Sequence, residues 1–178
     1  MKVSPIDSSD FSTNAWLTGF SEADSNFSIR ITVRNKKTGN IRVQTTYRLE
    51  ISTKINFKLN SFDNNVYHTK EFLTKICNFF GRAFYIRERF NKDWGKSYTS
   101  CIVIRFNQRS VQKVYDYFHK YPFKGSKYLN FMDWAKVVEM PKPLSESRKK
   151  QCVSIRENYN STRTVFSWEH LDSLNNKN

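Results

Sequence analysis

The sequence predicts a mixed α/β (α+β) domain in which helices alternate with antiparallel hairpins, in the order helix, two strands, helix, two strands, helix. Apolar residues recur at helical spacing in several segments and alternate with polar residues in four others. Runs rich in Gly, Asn or Pro lie between these segments, where turns are expected. The 178 residues are enough for one domain with a sizeable core.

The first predicted element is a short apolar helix that ends at two carboxylates. Asn14 or Thr13 can cap its start, and the helix is expected to run to about Asp24. Its apolar residues at helical spacing are Trp16, Leu17, Phe20 and Ala23. The period changes directly after this helix, which indicates that a strand follows.

A long hairpin is predicted next. Apolar and polar residues alternate over residues 27–33 and again over residues 41–51, as they do in strands with one buried face. The turn at residues 36–40 contains Gly39, which can adopt a positive φ. We therefore expect the two strands to pair directly.

The rest of the core is predicted to contain a helix, a second hairpin and two more helices. An Asn-rich loop at residues 56–65 precedes a helix at residues 69–80, which Gly81 ends. The further elements are expected as strands at 83–90 and 98–106 around a turn at 91–96, and helices at 111–121 and 128–140, which precede prolines.

We expect the chain to consist of a core at residues 1–141 and a basic C-terminal helical extension of the same domain at residues 142–178. Helices are predicted in the extension at residues 145–159 and 166–174. Its basic stretch from Lys142 to Arg163 can contact phosphates that flank a DNA site or belong to a structured RNA, or it can form a solvated helix face.

The charge of the chain indicates a polyanionic partner. Thirty Lys and Arg against 16 Asp and Glu leave a formal net charge of +14. No apolar run approaches the roughly 20 residues of a membrane-spanning helix, so nucleic acid is favoured over a membrane. The three Cys and three His are scattered, without the spacing of a disulfide framework or a zinc site.

The polar face of the first hairpin is predicted to bind nucleic acid. Arg and Gln on a two-stranded ribbon can contact base edges, while Ser and Thr adapt to either strand. The alternative is an ordinary solvated sheet face, but Arg dominates here and acids are nearly absent. The candidate residues are Ser28, Arg30, Thr32, Arg34, Arg42, Gln44, Thr46 and Arg48 in this hairpin, extended by Arg87, Arg89 and Arg105 in the second.

The end of the first helix is a candidate metal site and packing seam. Glu22 and Asp24 are two residues apart, so they do not share a helix face and only one is expected to point at a reaction centre. A carboxylate at a helix C-terminus opposes the helix dipole unless a cation lies there, which favours a metal over two ordinary surface acids. Gly19 and Ala23 are small residues four apart, and such a pair lets two helices pack closely.

These residues resemble the LAGLIDADG family of homing endonucleases and intron maturases. LTGFSEADS at Leu17–Ser25 is similar to the nine-residue motif that gives the family its name. YPFKGSKYLNFMDWAKVVEM, which ends at Met140, is similar to the stretch that closes the family's core domain. IRENYNSTR and FSWEHL near the C-terminus resemble fungal mitochondrial intron-encoded members.

The resemblance implies a saddle-shaped αββαββα fold with an antiparallel sheet, and a site for DNA hydrolysis. Two motif helices pack together, and the acid at the eighth motif position of each, here Asp24, binds Mg²⁺. By the same resemblance, Lys127 lies near the reacting phosphate and Glu50 helps to hold the attacking water. The chain contains one motif, so the resemblance implies a homodimer, a separate partner, or one half of a former two-motif protein.

Two kinds of function stay open at the level of sequence. Ser25 stands where the family usually has Gly at the end of the motif, which leaves a carboxylate in place and makes the retention of cleavage a question. The alternatives are a homing endonuclease with Mg²⁺ and a catalytically inactive maturase or structural protein that binds organellar RNA. Either is expected to be mitochondrial.

Overall fold

The computed structural model describes residues 9–52, 64–81, 84–92, 95–104 and 108–172. The described helices and strands are α1 (Trp16–Asp24), β1 (Ser25–Asn35), β2 (Asn40–Ser52), α2 (Asn64–Phe80), β3 (Phe84–Asn91), β4 (Lys96–Ile104), α3 (Gln108–Lys120), α4 (Lys127–Glu139) and α5 (Glu146–Glu157). This order confirms the predicted fold class. No helix of the described residues is long and apolar enough to span a membrane.

One antiparallel sheet joins the two hairpins in the order β1-β2-β4-β3. Its centre is the pairing of β2 with β4, and β1 and β3 form its edges. Gly39 has a φ of 66° in the turn between β1 and β2, a value that L side chains rarely adopt. The predicted turn is therefore confirmed.

The core lies between the helices and one face of the sheet, and aromatic rings dominate it. Phe27 in β1 is 1% exposed, and its ring lies 5.2 Å from that of Tyr47 on the neighbouring strand. Its other ring neighbours, all between 5.2 and 5.6 Å, are Phe118, Phe123, Phe131 and Trp134. Such pairs add to the free energy of burying their apolar surface, so the start of β1 is held firmly against α3 and α4.

The start of α1 lies one residue beyond the predicted cap, because its N-cap residue is Ala15, which makes no side-chain capping hydrogen bond, and not Asn14 or Thr13. The side chain of Asn14 accepts a hydrogen bond from the backbone N–H of Trp16 at 2.9 Å, which satisfies one of the free amides at the helix start. At the end of α2, Gly81 has a φ of 104°, as expected for a residue that ends a helix.

Several element boundaries differ from the predictions. Asn64 and Asn65 belong to α2 and not to the predicted loop. The sequence could not distinguish the two cases, because Asn is common both in loops and at helix starts. Strand β4 begins at Lys96 and helix α3 at Gln108, each two or three residues earlier than predicted. Of the predicted loop and strand ends, residues 56–63, 83 and 105–106 lie outside the described residues.

The prediction of a final helix over residues 166–174 is wrong for residues 166–171. Within them only a 3₁₀ turn, Glu169–Leu171, forms, and Asp172 is the single described residue of the segment that is helical. Phe166 and Trp168 are 51% and 49% exposed, so the segment has no apolar face buried against the core. A short helix without such packing is unstable in water.

Candidate functional site

One face of the sheet carries the predicted nucleic-acid-binding residues. Odd-numbered residues of β1 and β2 point into the core, so the even-numbered ones point away from the helices. Opposite residues on this face are Ser28 and Thr46, Arg30 and Gln44, and Thr32 and Arg42. Arg48 also lies on this face. The sequence pattern and the register therefore agree on which side chains share this surface, which we call the basic face.

The structure describes two of three further residues that were predicted to bind nucleic acid. Arg34 is exposed at a register irregularity between Val33 and Asn35, near the tip of the hairpin. Arg87 lies opposite Ser100 in the β3–β4 pairing, and its guanidinium carbon is 5.9 Å from the centre of the Tyr85 ring. Arg105 lies outside the described residues.

Glu50 is the only acid in β1 and β2, and it lies among three partners. Its carboxylate is 3.3 Å from a guanidinium nitrogen of Arg48 and 3.6 Å from one of Arg89. It also accepts a hydrogen bond of 2.8 Å from the buried hydroxyl of Ser100. Glu50 therefore links β2, β3 and β4 and orients two of the arginines on the basic face.

Asp24 is the last residue of α1, and its side chain is exposed. Its carboxylate forms no hydrogen bond or ion pair with any other residue that the structure describes. Ser25 of β1 pairs with Leu49 of β2. Asp24 and Glu50 are the chain neighbours of this pair on the side away from the turn, so both lie at the same end of the first hairpin. The helix thus delivers a carboxylate to the end of the basic face.

Ser25 continues from α1 into β1 without backbone strain. Its φ of −103° and ψ of 159° are extended values that any residue adopts. Its hydroxyl donates to the carbonyl of Ser21 at 2.5 Å, and its N–H bonds the same carbonyl. The Ser at this position is therefore compatible with the turn from α1 into β1.

Lys127, the first residue of α4, caps the C-terminus of α1. Its ammonium group donates to the carbonyls of Ser21 at 2.8 Å and Ser25 at 2.5 Å. A cation at this end of a helix is favourable against the helix dipole. Burial lowers the pKa of Lys127, and the charges of Glu22 and Asp24 oppose that shift. The structure thus brings Lys127 to the helix end that carries Asp24.

Glu22 holds the loop that leads into α4, a role that the sequence pattern does not indicate. Its Oε1 accepts hydrogen bonds from the backbone N–H of Lys124 at 3.1 Å and of Gly125 at 2.6 Å. A Cβ on Gly125 would lie 3.0 Å from the same oxygen. The only sequence signal for this contact is the glycine itself, which permits the close approach.

The two sides of α1 differ in their packing. On the buried side, the hydroxyl of Thr18 donates to the carbonyl of Tyr121 at 2.7 Å, and Ser21 shares a hydrogen bond of 2.7 Å with the hydroxyl of Tyr47. On the opposite side Gly19 and Ala23 are exposed, and a Cβ added to Gly19 would meet nothing within 4 Å. The predicted seam of small residues is therefore open to solvent.

An aromatic patch continues this open side at the start of α1. Trp16 is 47% exposed and stacks on Phe20, with ring centres 5.1 Å apart. Phe72 of α2 packs edge-on against both rings, at 5.3 and 5.2 Å. The seam and the patch together form an apolar surface along α1, which we call the α1 surface.

The donor chemistry at the end of α1 suits a hard divalent cation, but the described residues of one chain supply only part of a site. Carboxylate oxygens are ligands that Mg²⁺ prefers. Among the described residues no group of three His, Cys, Asp or Glu lies close enough together to hold a metal ion. Asp24 therefore fits as one ligand of a site that other groups complete.

Comparison with known proteins places the motif in a family. A model of the LAGLIDADG endonuclease family matches residues 17–138. The chain is 35% identical to the intron-encoded DNA endonuclease aI3 of Saccharomyces cerevisiae, over 99% of this chain and 45% of that protein. It is 27% identical to the cox1 intron-2 37.2 kDa protein of Schizosaccharomyces pombe, over 82% of this chain and 38% of that protein. The chain thus spans less than half the length of these relatives.

Solved structures share the fold. The homing endonuclease I-TnaI has a TM-score of 0.62 and 18% identity, over 89% of this chain and 92% of that chain. The homing endonuclease I-SmaMI bound to cleaved DNA has a TM-score of 0.64 and 16% identity, over 92% of this chain and 48% of that chain. The same fold therefore occurs in proteins that match this chain over nearly their whole length and in proteins that it matches over about half.

Proposed function

Because the chain belongs to the LAGLIDADG endonuclease family, we propose that it is a homing endonuclease that hydrolyses both strands of DNA at a long specific site. The observation that carries this proposal is the position of Asp24. Its free carboxylate lies at the end of α1, between the open α1 surface and the basic face. A reactive acid, a surface for a second motif helix and a surface for DNA therefore meet at one point.

The basic face binds the DNA in this proposal. Arg side chains can contact guanine edges in pairs of hydrogen bonds, and Gln44 can contact adenine in the same way. Other contacts of the face are salt-dependent contacts to phosphates, which supply affinity and little sequence information. The proposed residues are Ser28, Arg30, Thr32, Arg34, Arg42, Gln44, Thr46, Arg48, Arg87 and Arg89, with Arg105 assigned from the sequence alone.

A second motif helix packs on the α1 surface. Gly19 and Ala23 are exposed in the single chain, and small residues at this spacing allow close helix packing. The solvent-exposed side of Trp16 would be covered by the same contact. A homodimer satisfies the requirement with one gene product, and a separate partner that carries its own motif helix satisfies it equally.

Asp24 from each of the two helices is proposed to bind Mg²⁺. The ion, when bound, activates water for attack and stabilises charge on the leaving oxygen of the phosphodiester. Lys127 keeps the end of α1 ordered through its two carbonyl contacts, so that Asp24 keeps a fixed direction. The contacts of Glu50 support a role in orienting Arg48 and Arg89 more directly than a role beside the reacting water.

The test is a cleavage assay on the intronless form of the host gene, with Mg²⁺ and with EDTA. We expect the purified chain to cut both strands only with Mg²⁺. Asp24→Asn should bind the same DNA without cutting it, and Asp116→Asn, which removes an exposed acid from α3, should cut like the wild type. If Asp24→Asn cuts normally, or if the wild type binds the site and never cuts it, the proposal is wrong.

The second candidate is an RNA-binding maturase that does not cleave. It is favoured by the fact that Lys127 and Glu50, both proposed for catalysis from the sequence, are each engaged in contacts within the chain. This candidate predicts salt-dependent binding to the folded intron RNA, tighter than to DNA of the exon junction, and no cleavage with Mg²⁺.

Because two relatives of this chain are named for introns, one of them in cox1, we propose that the protein acts in mitochondria.

A further inference from the structure

An open groove lies where the C-terminal extension meets the edge strand of the sheet. It has a volume of about 440 Å³. Ser28 and Ile29 of β1 form one wall, and Arg156, Glu157, Asn160 and Ser161 are among the residues of the other. Ser28 also belongs to the basic face. The groove therefore continues that face around the free edge of β1.

The wall formed by the extension is fixed to the core by several contacts. Asn160 has a φ of 54°, a left-handed conformation that Asn tolerates better than most residues, and its side-chain amide donates to the carbonyl of Phe27 at 2.9 Å. Arg163 forms an ion pair with Asp133 and a hydrogen bond of 3.3 Å with the carbonyl of Leu129. The groove is thus preorganised, which lowers the entropic cost of binding a ligand there.

The cations of the extension differ in what they bind. Arg163 is committed to Asp133, and Lys149 to Glu146 and Asn40. The guanidinium of Arg156 is exposed and forms no hydrogen bond or ion pair with any residue in the described part of the chain. Arg156 is therefore the cation of the groove that is available to a ligand.

The groove also offers neutral donors beside this cation. Ser28 and Ser161 bring hydroxyl groups. The carbonyl of Phe27 points away from β2, toward the extension, and backbone groups two residues apart on a strand point the same way, so the N–H of Ile29 faces the groove as well. One acid, Glu157, lines the groove, which disfavours a ligand of several negative charges and leaves a singly charged one acceptable. A phosphodiester has this charge.

We propose that the groove binds one backbone phosphate of the DNA duplex beside the basic face, with Arg156 as its principal ligand. This inference rests on the proposed function. Arg is well suited to a phosphate, because its planar guanidinium can donate two parallel hydrogen bonds. The extension then takes part in DNA binding, and the DNA footprint reaches past the edge of the sheet on the β1 side.

The test compares Arg156→Ala with Lys113→Ala, which removes an exposed charge from α3, a helix that packs on the side of the sheet opposite to the basic face. Binding to the target duplex is measured at several salt concentrations. One phosphate contact contributes roughly 0.9 to the slope of log K against log salt, so Arg156→Ala should lower that slope by about 1 and weaken binding roughly tenfold at low salt. Lys113→Ala should change the slope by much less.

A set of duplexes that each carry one neutral methylphosphonate locates the contact. At one position on the β1 side, the substitution should weaken the wild type about tenfold and leave Arg156→Ala unaffected, because the two changes remove the same interaction. If both variants lower the slope equally, or if no position shows this coupling, the inference is wrong while DNA binding stands. If the wild type binds the duplex without cutting it, the proposed endonuclease function fails and the groove contact is still measured. Absence of duplex binding refutes both.

Discussion

The contact between Glu22 and the loop before α4 predicts a specific loss of stability. Glu22→Ala removes the acceptor of two backbone N–H groups, at 2.6 and 3.1 Å. A hydrogen bond to a charged group contributes about 1.5–3 kcal/mol when buried. The carboxylate of Glu22 is only half-buried, so we expect a loss of about 2 kcal/mol for the pair of bonds. In a chain of this size that loss corresponds to a fall in Tm of about 4–8 °C.

The measurement is urea denaturation of three variants beside the wild type. Glu22→Gln keeps a carbonyl oxygen as acceptor and should cost less than about 1 kcal/mol. Glu71→Ala is the matched control, because it removes an exposed acid whose only described ion pair is with Lys75, and it should change stability by less than about 0.5 kcal/mol. If Glu22→Ala is no more destabilising than Glu71→Ala, the loop is not held by this carboxylate and the reasoning is refuted.

Two other predictions address assembly and pH. Gly19→Leu should leave the single chain as stable as before, since Gly19 is exposed and a Cβ there meets nothing within 4 Å, and should abolish a dimer formed through the α1 surface; light scattering that still shows a dimer would contradict this. A hydrogen bond with Glu139 and burial raise the pKa of Tyr115 to about 12, so its contribution to stability is present below pH 10 and is lost as pH rises toward 12. Between pH 10 and 12, Tyr115→Phe should therefore lose stability less steeply than the wild type in urea titrations; equal slopes would exclude this role.

The basic face could be predicted from sequence because strand alternation has a period of two. Once apolar residues such as Phe27 and Ile29 are assigned to the core, the residues between them must point to the other side. The exact pairing of Arg30 with Gln44 depends in addition on the register irregularity between Val33 and Asn35, which the alternating pattern does not predict. Local patterns of this kind need no knowledge of distant contacts.

The environment of Asp24 could be predicted only in part, because distant residues form it. Glu22 and Gly125 are 103 residues apart, and Lys127 is 106 residues from the Ser21 carbonyl that it caps. No periodicity links such positions. The resemblance to a family therefore predicted that Lys127 lies at the site, and no sequence signal predicted the role of Glu22. The absence of an α-helix over residues 166–171 has a related cause, since apolar residues at helical spacing stabilise a helix only where a partner surface buries them.

The most direct test of the central claim is strand cleavage by mixed dimers. Wild-type and Asp24→Asn chains, with different affinity tags, are refolded together, and dimers that carry both tags are isolated and given a supercoiled plasmid with the target site and Mg²⁺. If each Asp24 serves one strand, the mixed dimer should nick the plasmid, the wild-type dimer should linearise it and the Asp24→Asn dimer should leave it supercoiled. Linear product from the Asp24→Asn dimer would contradict the assignment of Asp24 as the reactive acid.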